Sequence, residues 1–173
     1  IVKYGLQVKD KMALTGGHDQ NTIKNPKAVK DLKKKRDSNI VWLAENWIYK
    51  ELHPYIRLAN QNAGWRFQWD WSEACQFTKY NKGQYYDWHS DSWDKVYKKP
   101  GHSDDGKIRK LSMTCQLTDA SEYTGGELEF DFRNYDPHMR DESKHIRQVP
   151  EILPKGSIVV LSLIHISEPT RRY

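Results

Sequence analysis

The hydrophobic period of this chain changes at Gly64, and that change limits the fold more than any other feature. Over residues 44–63 apolar side chains recur at helical spacing, as Trp47, Ile48, Leu52, Tyr55, Ile56 and Ala59. A stripe of that period predicts an amphipathic helix. Asn62, Ala63 and Gly64 end it, and Pro54 is expected to bend it or split it in two. Beyond Gly64 the period falls to two. Trp65, Phe67, Trp69 and Trp71 alternate with Arg66, Gln68 and Asp70, predicting a strand. Leu111, Met113, Cys115 and Leu117 alternate with Ser112, Thr114 and Gln116, the pattern of a half-buried strand. Shorter β-like runs at 74–80, 84–89, 127–132 and 157–161 are separated by turn residues such as Asn81-Lys82-Gly83 and Pro154-Lys155-Gly156. One helical segment followed by many short strands predicts an α+β fold built around a β-sandwich or jelly roll.

A chain of 173 residues is expected to form one domain with a real core. It divides into a helical N-terminal part over 1–64 and a strand-rich core over 65–160, with residues 1–23 reading as a β-prone start and a Gly16-Gly17 loop. Residues 134–148 read as a charged loop. Apolar residues make up 37% of the chain, and no apolar run approaches the roughly 20 residues of a spanning helix, which predicts no membrane partner. The formal charge is +5, much of it from Lys24, Lys27, Lys30, Lys33, Lys34, Lys35 and Arg36. Such a run predicts a solvated helix face or a mobile arm, and it lacks the interleaved aromatics of a single-strand-binding groove. Cys75 and Cys115 lie in separate β-like runs with no C-x-x-C, so both are expected to be buried, reduced thiols of a cytosolic-type compartment.

The chemistry concentrates in Tyr80-Asn81-Lys82-Gly83-Gln84-Tyr85-Tyr86-Asp87-Trp88-His89-Ser90-Asp91. In a strand, residues two apart share a face, so His89 and Asp91 are expected to converge. An imidazole and a carboxylate on one point supply two-thirds of a 2-His-1-carboxylate iron(II) site. A His-X-Asp pair is a weak signal alone, and the ordered motifs around it add the specificity. This stretch, Arg109 to Thr118, Tyr123-Thr124-Gly125-Gly126-Glu127-Leu128-Glu129-Phe130 and Pro154-Lys155-Gly156-Ser157-Ile158-Val159-Val160 together resemble the 2-oxoglutarate- and iron(II)-dependent dioxygenases, prolyl 4-hydroxylase type. The resemblance spans most of 74–160. It implies a double-stranded β-helix (jelly-roll) core after an N-terminal helical region, with Fe(II), 2-oxoglutarate as cosubstrate, and ascorbate. It assigns His89 and Asp91 to the metal, Tyr80 to the 2-oxoglutarate carboxylate and Tyr86 to the flank of the iron, with core packing the alternative for Tyr86. Thr114 and Gln116 fall on a strand lining the cosubstrate pocket, whose inward face one sequence leaves open.

The family also expects a third ligand histidine after the 157–160 strand and a basic anchor for the 2-oxoglutarate carboxylate about ten residues later. His165 stands near that place, closer to the strand than usual and without the expected Pro-Ser-aromatic stretch. Residues 161–171 are also similar to translated sequencing-adapter read-through. On that reading the chain is a C-terminally truncated fragment, 161–173 is a non-native tail, His165, Arg171 and Arg172 are accidental, and the chain binds iron poorly. His18, His53, His102, His138 and His145 lack ligand spacing and are expected to be solvated or packing residues, with His138 and His145 the fallback third ligands. The 100–106 loop is expected to cover the site. The resemblance implies hydroxylation of a prolyl or other protein residue in the cytoplasm of a microbial or phage-infected cell. A nucleobase or small-molecule substrate and a non-catalytic cupin-like binding module are the alternatives.

Overall fold

The computed structural model describes residues 1–15, 21–92, 95–132 and 145–163, and the backbone of 169–172. Helix α1 (Val2–Gln7) leads to the two-residue strand β1 (Lys11–Met12). Helix α2 (Pro26–Lys35) carries most of the lysine cluster and runs into β2 (Arg36–Asp37) and β3 (Asn39–Leu43). After helix α3 (Asn46–Asn62) come β4 (Cys75–Lys79), β5 (Tyr85–Ser90), β6 (Leu111–Cys115), β7 (Leu128–Asp131), β8 (Ile146–Gln148), β9 (Ile158–Ser162) and β10 (Pro169–Arg172). The strands form three antiparallel sheets, ordered β1-β3-β4, β2-β5-β10-β7-β8 and β6-β9. The fold is α+β, as expected. Strand pairs cross residue 64, however, so the N-terminal part contributes β2 and β3 directly to sheets shared with β5 and β4. No helix among the described residues is long and apolar enough to cross a membrane.

Two apolar clusters hold these layers. The first gathers Val41, Leu43, Ile48, Leu52 and Phe77, with Ile1, Tyr4, Cys75, Met113, Leu117 and Ile158 packed against it. The second gathers Leu128, Phe130 and Ile152, with Phe132, Val149, Val159 and Leu161. Strand β9 alternates between them, Ile158 toward the first and Val159 and Leu161 toward the second, as a period-2 strand with two apolar faces must. The same alternation sends Met113 of β6 into the first cluster and turns Ser112 the other way. Cys75 and Cys115 are free and half-buried, and burial pushes both thiols up.

Several expectations are corrected. Residues 2–7 are helical rather than β-prone, because Ile1 and Tyr4 at helical spacing seat on the first cluster and Gly5 lets the helix back onto the Phe77 ring. Helix α3 is continuous through Pro54, which lies on its exposed face. Residues 65–71 are not a strand. The Asn60 side chain takes both backbone groups of Phe67, at 2.9 Å to its carbonyl and 3.0 Å from its N–H. Arg66, at φ 55°, breaks the extended run. Residues 146–148, read as loop, pair with β7 as β8. Arg36 is not part of a solvated run: burial alternates through Arg36, Ser38 and Ile40, and all three are buried. The lysines beside it do face solvent, with Lys33 at 3.3 Å from Asp37, Lys34 at 2.8 Å from Asp31 and Lys35 at 3.8 Å from Asp87. Leu161 and Ser162 complete β9, and the backbone of 169–172 pairs with both β5 and β7. His165, His18, His138 and the Gly16-Gly17 loop lie outside the described residues.

Docking of α1 is directly testable. A Cβ at Gly5 meets the Phe77 ring at 2.8 Å, so Gly5→Ala is expected to destabilise the fold by about 1 to 3 kcal/mol in urea denaturation. Unchanged stability contradicts the docked helix.

Candidate metal centre

The turn between β4 and β5 places the site. Gln84 N–H closes it on the Asn81 carbonyl at 2.9 Å, and Gly83 supplies the required φ of 80°. Strand β5 then runs to His89, and Asp91 follows just past its end. His89 Nδ1 lies 2.8 Å from the Asp87 backbone carbonyl. With Nδ1–H donating there, Nε2 is left with its lone pair outward. That nitrogen faces Asp91 Oδ1 at 3.2 Å. The other carboxylate oxygen, Oδ2, accepts a 2.7 Å bond from the Ser112 hydroxyl of β6. Each ligand-type group is thus held by one atom and presents the other to the same point. Donors about 2.1 Å from a metal and at right angles to each other stand roughly 3 Å apart, so the 3.2 Å separation suits two neighbouring positions on one ion.

The surroundings keep this pair in place. Arg109 donates to the Asp91 backbone carbonyl. Its guanidinium also grips Glu73 with both ends of its fork, Nε to Oε1 at 2.8 Å and Nη2 to Oε2 at 2.7 Å. Without a metal a proton on His89 Nε2 takes the cation's place: burial pushes the Asp91 carboxyl up, but the hydrogen bonds from that protonated ring and from Ser112, with the charges of the imidazolium and Arg109, outweigh it and hold the group below the usual carboxylate range. Asp91 is therefore the ionised, metal-binding form at neutral pH. The Tyr86 ring lies flat on the His89 imidazole, centroids 3.5 Å apart and planes at 11°, and the Arg36 guanidinium covers Tyr86 at 4.3 Å. Burial pushes the Tyr86 hydroxyl up, opposed by the Arg36 charge.

Of the residues singled out from sequence, His89, Asp91 and Tyr86 come together. Tyr80 follows the last residue of β4 and is 36% exposed. Thr114 shares the Ser112 face of β6, the face turned to Asp91. Gln116 is buried, and its amide donates to the Tyr123 hydroxyl at 2.6 Å. The 100–106 loop folds on itself through Lys99, which meets Asp104 at 2.5 Å and the Asp105 side chain at 2.7 Å. Among the described residues no third His, Cys, Asp or Glu joins the pair. Ser112, Arg109, Glu73 and Arg36 were not assigned from sequence. The first lay in a visible polar alternation; Arg36 was legible only through its period with Ser38 and Ile40.

Because Ser112 orients the carboxylate, Ser112→Ala is expected to weaken Co(II) binding about 10-fold without changing the fold, measured by titration and circular dichroism. Equal affinity contradicts the orienting role.

The model of the 2OG-Fe(II) oxygenase superfamily matches residues 75–172, more than half of the chain, with Tyr80, His89, Asp91 and Ser112 inside the match. No curated protein and no solved structure matches the chain. The family implies Fe(II) and 2-oxoglutarate, and a donor set of imidazole nitrogen and carboxylate oxygen, each steadied from behind, fits a divalent iron. The chain belongs to the 2OG-Fe(II) oxygenase superfamily.

Proposed function

We propose that the protein is a 2-oxoglutarate- and Fe(II)-dependent dioxygenase that hydroxylates a C–H bond of a prolyl or other protein residue. The observation that carries the reading is the facing of His89 Nε2 and Asp91 Oδ1 at 3.2 Å, with their remaining polar atoms engaged by the Asp87 carbonyl and Ser112. Bound iron and 2-oxoglutarate supply dioxygen activation, with release of carbon dioxide and succinate, and ascorbate is the accessory reductant. His89 offers its Nε2 lone pair and Asp91 one ionised oxygen. Tyr86 shields one face of the imidazole from water. On this reading Tyr80 donates to a carboxylate of the cosubstrate, and Thr114 and Gln116 line its pocket. The jelly-roll reading is supported by antiparallel sheets whose neighbours are far apart in sequence, β5-β10-β7 and β6-β9, with the polar face of β6 turned to the pair.

The third metal position falls to His165, four residues before Pro169, whose backbone partner is Ser90 between the two ligands. Loss of metal affinity on His165→Ala supports that assignment, and unchanged affinity supports the reading of 161–173 as a non-native tail. A peptide substrate is favoured by a cleft of about 340 Å³ walled by Trp65, Phe130, Phe132 and Val149. Phe130 pairs with Thr170, and Thr170 with His89, so the cleft stands two strands from the pair, about 10 Å away. The pairing of Lys33, Lys34 and Lys35 with aspartates leaves less cationic surface for a nucleic acid.

The expected result is Fe(II)-dependent succinate release from 2-oxoglutarate, abolished by His89→Ala and by Asp91→Asn and stimulated by proline-containing peptides but not oligonucleotides. No iron-dependent succinate points instead to a binding module.

A further inference from the structure

The net charge of the chain is concentrated at one place. Lysine and arginine number 28 against 23 acidic residues, a formal +5. Residues 24–37 hold six lysines and Arg36 against Asp31 and Asp37, which is again +5, so the rest of the chain sums to zero. All six lysines are exposed. Five of them ride on α2, and α2 is fastened at both ends. Asn25 caps it, its side chain accepting from the N–H groups of Lys27 at 3.0 Å and Ala28 at 3.3 Å. At the other end the Tyr85 hydroxyl donates to the Lys34 carbonyl at 3.1 Å, and Arg36 pairs with Tyr86 on the strand that carries His89. The cations form a fixed row beside β5.

Helix stability does not account for that row. Lys33, Lys34 and Lys35 suit the C-terminal end of the helix dipole, and each meets an aspartate. Lys24 and Lys27 stand at the opposite end, where the dipole disfavours a cation and the first turn holds no acid. Lys27 and Lys30 are three residues apart and Lys30 and Lys34 four, spacings at which like charges repel. Among the described residues no carboxylate lies within ion-pair distance of Lys24, Lys27 or Lys30. An anion lying along the row relieves both costs.

The helix narrows the choice of anion. Leu32 is fully buried, with Ala28 and Val29 half-buried beside it, so no apolar face remains to enter a bilayer. No aromatic on α2 offers a base a stacking surface, and Asp31 interrupts the track a phosphate backbone would follow. Separate carboxylates fit the remaining gaps. We propose that the exposed lysines of α2 dock an acidic segment of the protein substrate, on the same chain as the residue that reacts; this rests on the dioxygenase reading above. Tyr86 to His89 is about 10 Å along β5, and Lys34 to Lys27 about 10 Å along α2. An extended substrate at about 3.3 Å per residue therefore carries its acids roughly three to seven residues from the target.

The test uses labelled peptides with one proline and, about four residues to either side, a short run of glutamates or of glutamines. By fluorescence anisotropy the wild type is expected to bind the acidic peptide about 10-fold more tightly, as a few exposed ion pairs together supply. The preference is expected to vanish in high salt and in the triple variant Lys24→Gln, Lys27→Gln, Lys30→Gln, whose fold circular dichroism checks. With Fe(II) and 2-oxoglutarate, the same variant is expected to raise KM for the acidic peptide about 10-fold, the same lost ion pairs, and to leave kcat unchanged. Equal affinity for the two peptides, or a preference that survives the triple variant, overturns the proposal. So does a single-stranded oligonucleotide of the same net charge that binds more tightly than the acidic peptide, which makes the row a nucleic-acid surface. Iron-dependent succinate release with equal KM for both peptides removes this proposal and leaves the dioxygenase reading standing. No succinate with either peptide removes that reading and the proposal with it.

Discussion

The hydrogen bond between His89 Nδ1 and the Asp87 carbonyl decides what the rest of the structure can do. A histidine ring has two nitrogens, and tying one to a backbone acceptor commits the other to accept a proton or a metal. Without that bond the ring is free to turn Nε2 away from Asp91. With it, a nitrogen lone pair and a carboxylate oxygen face each other at 3.2 Å. Two acceptors at that separation repel unless a proton or a cation stands between them, so the arrangement has a built-in demand for positive charge.

Everything around the pair serves to keep that demand unrelieved by rearrangement. Ser112 reaches across from β6, and Arg109 links the Asp91 backbone to Glu73 before β4. The two apolar clusters fix the strands from which these side chains project. Strand β6 does both jobs at once, Met113 entering the core while Ser112 meets the carboxylate. The groove of about 500 Å³ beneath α3 lies on the apolar side of β6 and β9, lined by Leu52, Tyr55, Cys115 and Ile158, and so does not open on the metal pair.

What was legible in the sequence was local. The His-X-Asp spacing, the alternation of residues 111–117 and the helical stripe ending at Gly64 each depend on neighbours a few positions apart, and each has its counterpart in the structure. Contacts between distant residues were not legible. The Trp65 to Trp71 alternation has a strand's pattern, yet Asn60 claims the backbone of Phe67 and no ladder forms. Glu73 and Arg109 are 36 residues apart, and nothing in either neighbourhood announces their pairing. Arg36 was hidden by company: six lysines precede it, and only its strand period with Ser38 separates a buried guanidinium from a solvated run.

The most direct measurement is a crystal structure of the chain with Mn(II) in place of iron and 2-oxoglutarate present, phased to show anomalous scattering. One anomalous peak is expected, bounded by His89 Nε2 and Asp91 Oδ1, with Ser112 still on Oδ2. A saturated crystal whose ion lies elsewhere, or in which His89 turns Nε2 away from Asp91, would contradict it.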